Sequence, residues 1–210
     1  YVDVDACTAE EQAAIGFFQA AGYTWDDATG TFTAAPEGAQ MAYEVIIPAN
    51  GGEDHPAYLL CEYVRSALET IGITLTINNP SDSNQMWTTI DARTHNMYTA
   101  AFSFGGSPDP DCYDRYYSGE IDSGNNNNAI SDPTLDELLL NGRISADQSY
   151  RRAIYKEALD IVRDWAVEVP YYQRQNIYVY STERVNVDTI TPDITTFWDW
   201  QHDLEKLEMN

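Results

Sequence analysis

The chain has 210 residues, 43% of them hydrophobic and 12% aromatic, enough for one large domain or two small ones around a sizeable core. Eleven basic residues stand against 34 acidic ones, a formal charge of −23 at pH 7, and only two of the basic residues are lysines. That balance excludes nucleic acid as a partner, because phosphate contacts need clustered lysine and arginine, and no basic amphipathic face is present for a membrane surface. The acid excess reads as a solubilising surface rather than an acidic binding site. No run approaches the ~18 apolar residues of a membrane span. No signal peptide opens the chain; YVDVDACTAEEQ reads as the start of a mature product or of an excised fragment.

Residues 8–11, TAEE, carry a capping-box pattern with Thr8 as N-cap and Glu11 returning to it. Ile15, Phe17, Phe18 and Ala21 follow at helical spacing, and Gly22 stops the helix. DDATG, residues 26–30, is a turn and APEG, residues 35–38, a loop. AYEVII, residues 42–47, reads as a strand that NGGEDHP breaks. From Pro56, the residues Leu59, Leu60, Tyr63, Val64, Ala67, Leu68 and Ile71 keep helical period up to Gly72, and ITLTI, residues 73–77, is a second strand. Strand, helix and strand in this order form a right-handed βαβ crossover with parallel strands. A short helix is expected over 83–93 and a third, buried strand at 97–104, MYTAAFSF.

GNNNN, residues 124–128, is a polar loop. Asp132 and Pro133 suit the N-cap and first position of a helix over 133–141. A long helix follows over 148–166, with Ile154, Ala158, Ile161, Val162 and Trp165 on one face and Tyr155 flanking. EVPYYQRQNIYVYS, residues 168–181, carries strand-like segments, and residues 185–210 read as irregular. Cys7, Cys61 and Cys112 form no CxxC pair, which argues against a metal knuckle. One disulfide with a free thiol, or three inert buried thiols, both fit.

The stretch AAFSFGGSPDPDCYDRYYSGE, residues 100–120, is the most informative piece. Apolar residues run into two glycines and then Pro108, Asp109 and Pro110. The prolines remove backbone donors, so a strand must end here, and the glycines permit close backbone approach. A strand ending at an open, glycine-lined turn beside aromatics is a ligand-contact candidate, since strand-end crevices are where open α/β sheets bind. A plain strand-to-loop transition fits the same residues.

Four segments, in this order, resemble the C-terminal part of the extracellular solute-binding proteins of peptide-type (family 5) ABC importers. They are FFQAAGYTWDDATG at 17–30, LLCEYVRSALETIGITLTI at 59–77, MYTAAFSFGGSPDPD at 97–111, and the set SDPTLDELL, RRAIYKEALDIVRDWAVEVPYY and DWQHDLEKLEMN. The resemblance implies an α/β fold with a mixed sheet, a βαβ crossover and flanking helices, one lobe of a two-lobed periplasmic-binding-protein-like architecture. Residues 1–180 would be the C-terminal ligand-binding lobe, and 181–210 a tail returning to an N-terminal lobe. It implies capture of a dipeptide, oligopeptide or other small molecule by hinge closure, delivery to a membrane permease, and an extracellular or periplasmic lipoprotein anchored through a lipid-bearing N-terminal region. An oligosaccharide or metal chelate is an alternative ligand, because one fold hosts several ligand classes. A lobe without its partner exposes cleft surface, which leaves self-association of the fragment open.

In that family the strand before the Pro-Asp-Pro loop offers backbone groups to an extended ligand, here Ala101 to Gly106, with Phe102, Phe104, Gly105 and Gly106 lining the site. The acidic residue that peptide-binding members carry beside the ligand amine has no counterpart here; Asp109 is nearest, and capping the turn is its plainer role. Alternation places Tyr172 and Arg174 on one strand face, with Arg174 able to grip a carboxylate or to form a structural ion pair. Catalysis has no comparable signal. His55, His95 and His202 are scattered without metal spacing, no GxSxG occurs, and Asp109, Asp111 and Asp114 depart from the calcium-loop pattern and read as a solvated acidic loop. No cofactor is expected. A secreted carbohydrate-active hydrolase or lectin-like domain using the acidic, aromatic surface is the alternative function.

Overall fold

The structure is a computed structural model that describes residues 4–48, 52–101, 109–172, 177–191 and 199–210, with backbone alone for 4–10 and Trp200. The chain divides into two compact units, Tyr1–Ala101 and Phe102–Asn210.

The first unit is built on a parallel three-stranded sheet of order β4-β3-β5, with β3 (Ala42–Ile46) between β4 (Thr74–Asn78) and β5 (Met97–Tyr98). The helices α2 (Pro56–Thr70) and α3 (Ser83–Asp91) make the two crossovers. The register pairs Tyr43 with Leu75, Val45 with Ile77, and Ile46 with Tyr98. The βαβ unit and the joining of the third strand are as the apolar period predicts. Central position explains why VII at 45–47 is continuously apolar: a strand covered on both faces buries every residue. Val45 and Ile47 pack on Ala57 and Cys61 of α2, while Ile46 packs on Met86 and Ile90 of α3. Each buried aliphatic side chain of this kind contributes about 1.5–3 kcal/mol.

Both crossover helices start where local chemistry says they should. His55 Nδ1 accepts from the Ala57 amide at 3.1 Å and Pro56 takes the first position of α2; Asp82 accepts from the Asn84 amide at 2.9 Å at the start of α3. The third strand is shorter than its apolar run: β5 covers Met97–Tyr98, with one further bond from the Thr99 amide to Ile46 O at 2.7 Å. Residues 102–104 lie outside the described residues.

A two-stranded antiparallel ribbon, β1 (Thr24–Asp26) and β2 (Thr31–Ala34), flanks this sheet, where the sequence shows only its turn. Its core is aromatic. Phe18, at the end of α1 (Val4–Ala20), meets Tyr23 edge-on at 5.0 Å, and Trp25 meets Phe32 edge-on at 4.9 Å, over Ile71 and Ile73. The Tyr23 and Tyr43 hydroxyls are hydrogen-bonded to each other, and burial, with this pairing, pushes the Tyr23 phenol up to about 12. Helix α1 already includes Val4, so Thr8 lies inside it and is not its N-cap.

Helices α1 and α2 end in the same device. The Gly22 amide donates to Gln19 O and Tyr23 N to Phe18 O; the Gly72 amide donates to Glu69 O and Ile73 N to Leu68 O. Gly72 has φ +83, and a Cβ there would lie 2.8 Å from Phe32 O, because the ribbon is hydrogen-bonded to this turn through the Phe32 amide and Ile71 O.

The second unit is helical. Helices α5 (Pro133–Arg143) and α6 (Gln148–Trp165) pack through Leu135, Leu138, Leu139, Tyr155, Ala158 and Val162, with Cys112, Tyr116 and Ile130 completing the core. Asp132 accepts from the Thr134 and Leu135 amides, and Asp147 from those of Ser149 and Tyr150, so both helices carry aspartate N-caps. The short α4 (Tyr113–Tyr116) precedes them. In the polar loop, Asn126 is fully buried and donates to Tyr117 O at 3.1 Å and Ile130 O at 3.0 Å, which closes the loop on itself. Residues 166–172 and 177–181 form no strand, contrary to their alternation.

The last residues are more ordered than their sequence indicates. Val185 and Met209 form an antiparallel bridge, the Asn186 amide donates to Glu208 O, and the Asn210 side chain donates to Thr182 O and Val185 O. Cys61 and Cys112 are buried free thiols, and burial pushes the Cys112 thiol up to about 11. The Cys7 side chain lies outside the described residues.

Gly72→Ala is expected to destabilise the protein by about 1–3 kcal/mol, through the positive φ and the close Phe32 carbonyl together. Gly30→Ala, also at positive φ but with open space around it, should cost less. Denaturant melts of the two variants side by side check this; equal losses would contradict it.

Candidate functional site

The strand-end residues follow β5 in the chain, and most of them are not among the described residues. Phe102, Phe104, Gly105, Gly106 and Arg174 lie outside the described residues, as does the strand face expected to join Arg174 to Tyr172. Tyr172 is described: its ring meets that of Tyr171 at 5.1 Å with a 56° tilt, and it is half exposed. Asp109 is the remaining predicted residue. The geometry around it shows how the segment after the Pro-Asp-Pro turn is held.

Asp109 performs the turn role. Its Oδ1 accepts from the Asp111 amide at 3.0 Å. Both of its oxygens also accept from Arg151, Oδ1 from Nη2 at 2.6 Å and Oδ2 from Nη1 at 3.0 Å. This bidentate fork, with the backbone amide, holds the Asp109 carboxyl below the usual carboxylate range. Two residues on, Asp111 Oδ1 accepts from the Tyr113 amide at 3.1 Å and opens α4, while Oδ2 accepts from Arg143 Nε at 2.8 Å. The Arg143 guanidinium sits 3.9 Å from the centre of the Tyr113 ring, which stacks on Tyr117 at 4.4 Å.

Arg143 ends α5 and Arg151 lies in the first turn of α6, so one short connection brings both guanidiniums to the same loop. Arg151 Nε also donates to Gly142 O at 3.0 Å. Asp109 and Asp111 are therefore tied to arginines, while Asp114, 3.6 Å from Arg143, stays largely exposed as a solvated loop residue.

A second knot lies at Glu168, just past α6. Arg115 donates to it from Nε at 2.8 Å and Nη2 at 2.6 Å, the Tyr116 hydroxyl at 2.9 Å, and Asn128 Nδ2 at 2.6 Å. Burial is the main cause that raises the Tyr116 phenol, and it thus stays a donor at any ordinary pH. One carboxylate ties together α4, the polar loop and the segment that carries Tyr171 and Tyr172. Sequence reasoning missed Arg143, Arg151 and Glu168. Acids and arginines stand 32 to 53 residues apart, and no spacing rule joins them. The proline-flanked acids were the available signal.

Among the described residues, no group of three or more His, Cys, Asp or Glu is placed to hold a metal ion. Nor is any helix there long and apolar enough to cross a membrane.

No protein-family model matches the chain, and no curated protein matches it. Solved structures do. NikZ from Campylobacter jejuni, in complex with Ni(L-His), is similar at 19% identity and TM-score 0.56, over 72% of this chain and 29% of its own. The oligopeptide-binding protein AppA from Bacillus subtilis, in complex with a nonapeptide, is similar at 17% identity and TM-score 0.59, over 73% and 29%. The dipeptide-binding protein from Pseudoalteromonas sp. SM9913, in complex with Met-Leu, is similar at 20% identity and TM-score 0.54, over 60% and 25%. The chain thus shares its fold with a part of the peptide- and nickel-type ABC solute-binding proteins, and spans under a third of the length of those it matches. The α/β class and periplasmic-binding-protein-like architecture read from sequence agree with this likeness.

Glu168→Ala leaves the Arg115 guanidinium, itself three-quarters buried, without its carboxylate. The expected loss of stability is about 1.5–3 kcal/mol, and Glu168→Gln should recover part of it because the amide still accepts. A loss equal in both variants would show that charge, not acceptance, holds the knot. For Asp109 the sign follows from the depressed carboxyl: its stabilising effect is complete above the ordinary aspartate value of about 3.9 and fades as pH falls through the lower folded value. Acid titration of stability below about pH 4 should be shallower in Asp109→Asn than in the parent. Superimposable acid limbs would contradict it.

Proposed function

We propose that this chain is the C-terminal ligand-binding part of an extracellular or periplasmic solute-binding protein of a peptide-type ABC importer, capturing a dipeptide or oligopeptide and delivering it to a membrane permease. The observation that carries the reading is the fold likeness to solute-binding proteins solved with a nonapeptide, with Met-Leu and with Ni(L-His), together with the order of the four resembling segments. The chain acts by enclosing ligand through closure of two lobes, with no covalent step. The carbohydrate-active alternative has no such likeness behind it. A metal chelate is the competing ligand class, since one of the similar proteins is complexed with Ni(L-His).

In this reading residues 1–180 form the lobe and 181–210 the returning tail. Hydrogen bonding between 182–191 and 203–210 supports treating the tail as a piece of its own. Backbone groups from Ala101 to Gly106 pair with the ligand main chain, Phe102, Phe104 and Tyr172 line its side-chain pockets, and Arg174 meets a ligand carboxylate. Asp109, turned to Arg151, serves the structure rather than the ligand.

Ligand in such proteins must be largely enclosed to bind tightly, and one lobe supplies about half of the contacts. Titration calorimetry of the 210-residue chain with a mixed peptide pool should therefore show weak or unmeasurable binding, while the longer polypeptide containing both lobes binds. A submicromolar Kd for the monomeric chain would overturn the lobe reading. In the longer polypeptide, Arg174→Ala should weaken a peptide with a free C-terminal carboxylate by about 1.5–3 kcal/mol. An unchanged affinity would assign Arg174 to a structural ion pair.

A further inference from the structure

The acid excess is larger than solubility requires. A small domain is kept soluble by a net charge of magnitude about 2–8, and this chain carries −23. Seven of the eleven basic residues already have an acidic partner beside them. Arg65, Arg115, Arg143, Arg151 and Arg163 and both lysines, Lys156 and Lys206, each lie within an ion pair. Meanwhile Glu37, Asp91, Glu157, Glu183 and Glu205 are exposed, and their carboxylates take part in no hydrogen bond or ion pair among the described residues. Such acids occur in both units and along the whole described chain. A basic macromolecule would be matched by a concentrated acidic face; an excess dispersed in this way matches small dissolved cations.

Net charge of this size repels itself in the compact state, more than in the expanded one, so it works against folding unless it is screened. The screening length is about 10 Å at 0.1 M salt and about 3 Å at 1 M. At the first value neighbouring surface acids feel each other; at the second they do not. The partly buried bidentate pairs at Asp109–Arg151 and Arg115–Glu168 rest on direct contact and are screened much less. From the combination of a dispersed −23, basic side chains held in local pairs, and lysine almost absent, we infer that this chain is built to fold and work in molar salt, with dissolved monovalent cations as the counterpart of its surface. In that medium charge cannot steer a ligand from a distance. Selection falls to short-range hydrogen bonds and aromatic contact.

The test is far-UV circular dichroism and thermal melting of the 210-residue chain in KCl, from about 0.1 M to about 3 M. The expected result is loss of helical signal at the low end, a cooperative gain with salt, and a Tm that rises by more than about 10 °C between about 0.1 M and 2 M. A second arm carries Glu37→Gln, Asp91→Asn, Glu157→Gln, Glu183→Gln and Glu205→Gln together, removing five negative charges at side chains that form no hydrogen bond or ion pair among the described residues. It should reach the folded state at lower salt than the parent. A Tm independent of salt overturns the inference, as does a chain unfolded at every salt concentration. Coincident salt curves for parent and variant overturn it too, since salt would then act through apolar burial rather than charge. None of these outcomes depends on whether the chain binds peptide.

Discussion

The second unit depends on arginine forks laid across the segment from Asp109 to Tyr117. That segment follows a turn with two prolines and belongs to no sheet, so no backbone ladder fixes its path. Side chains do the fixing instead. Arg151 takes Asp109, Arg143 takes Asp111, and Arg115 leaves the segment to take Glu168. The Arg151 and Arg115 contacts are charge-assisted and two-point, which defines both distance and direction, and the Arg143 contact adds a single charged hydrogen bond. Because Arg143 and Arg151 flank the α5–α6 connection, packing of those two helices through Leu138, Leu139 and Tyr155 also positions the loop. Glu168 extends the same arrangement to the start of the segment bearing Tyr171 and Tyr172.

Much of this fold is legible in the sequence, for reasons that can be named. The run at 45–47 is apolar at every position because β3 is covered on both faces. The spacing from Pro56 to Ile71 locates the helix, but its covered stripe runs through Ala57, Cys61 and Leu68, while Leu59, Tyr63 and Val64 are exposed. Asp132 with Pro133 marks a helix start through chemistry confined to a few residues. What stayed hidden was decided at a distance. The ribbon of β1 and β2 has strands of three and four residues, too short for a pattern, and is held by Phe18, Ile71 and Ile73 from elsewhere in the chain. The alternation at 168–181 misled in the other direction. Val169, Ile177 and Val179 are largely exposed, so the β-like pattern has no covered face to serve within the described residues. Of the candidate site, the proline-flanked Asp109 marks the described turn, and nothing local reveals that Asp109 and Asp111 belong to Arg151 and Arg143.

The first unit fits the proposed role by simple geometry. A parallel sheet delivers its strand ends to one edge, and β5 leaves the sheet beside the β3 terminus, through the bond from Thr99 to Ile46. The chain then enters the glycine-rich stretch within a few residues. Placement of a binding segment just past a rigid strand is a general solution for presenting backbone groups to a ligand. Salt screening and this arrangement are compatible, because main-chain hydrogen bonds and aromatic contacts act at contact range and need no long-range field.

Hydrogen–deuterium exchange on the longer polypeptide, with and without a saturating peptide ligand, tests the account most directly. The account predicts new protection in 101–106 and 171–174, with 109–117 already protected and unchanged because its arginine forks are in place before ligand arrives. Protection that leaves 101–106 untouched, or a 109–117 segment that becomes ordered only on binding, would contradict it.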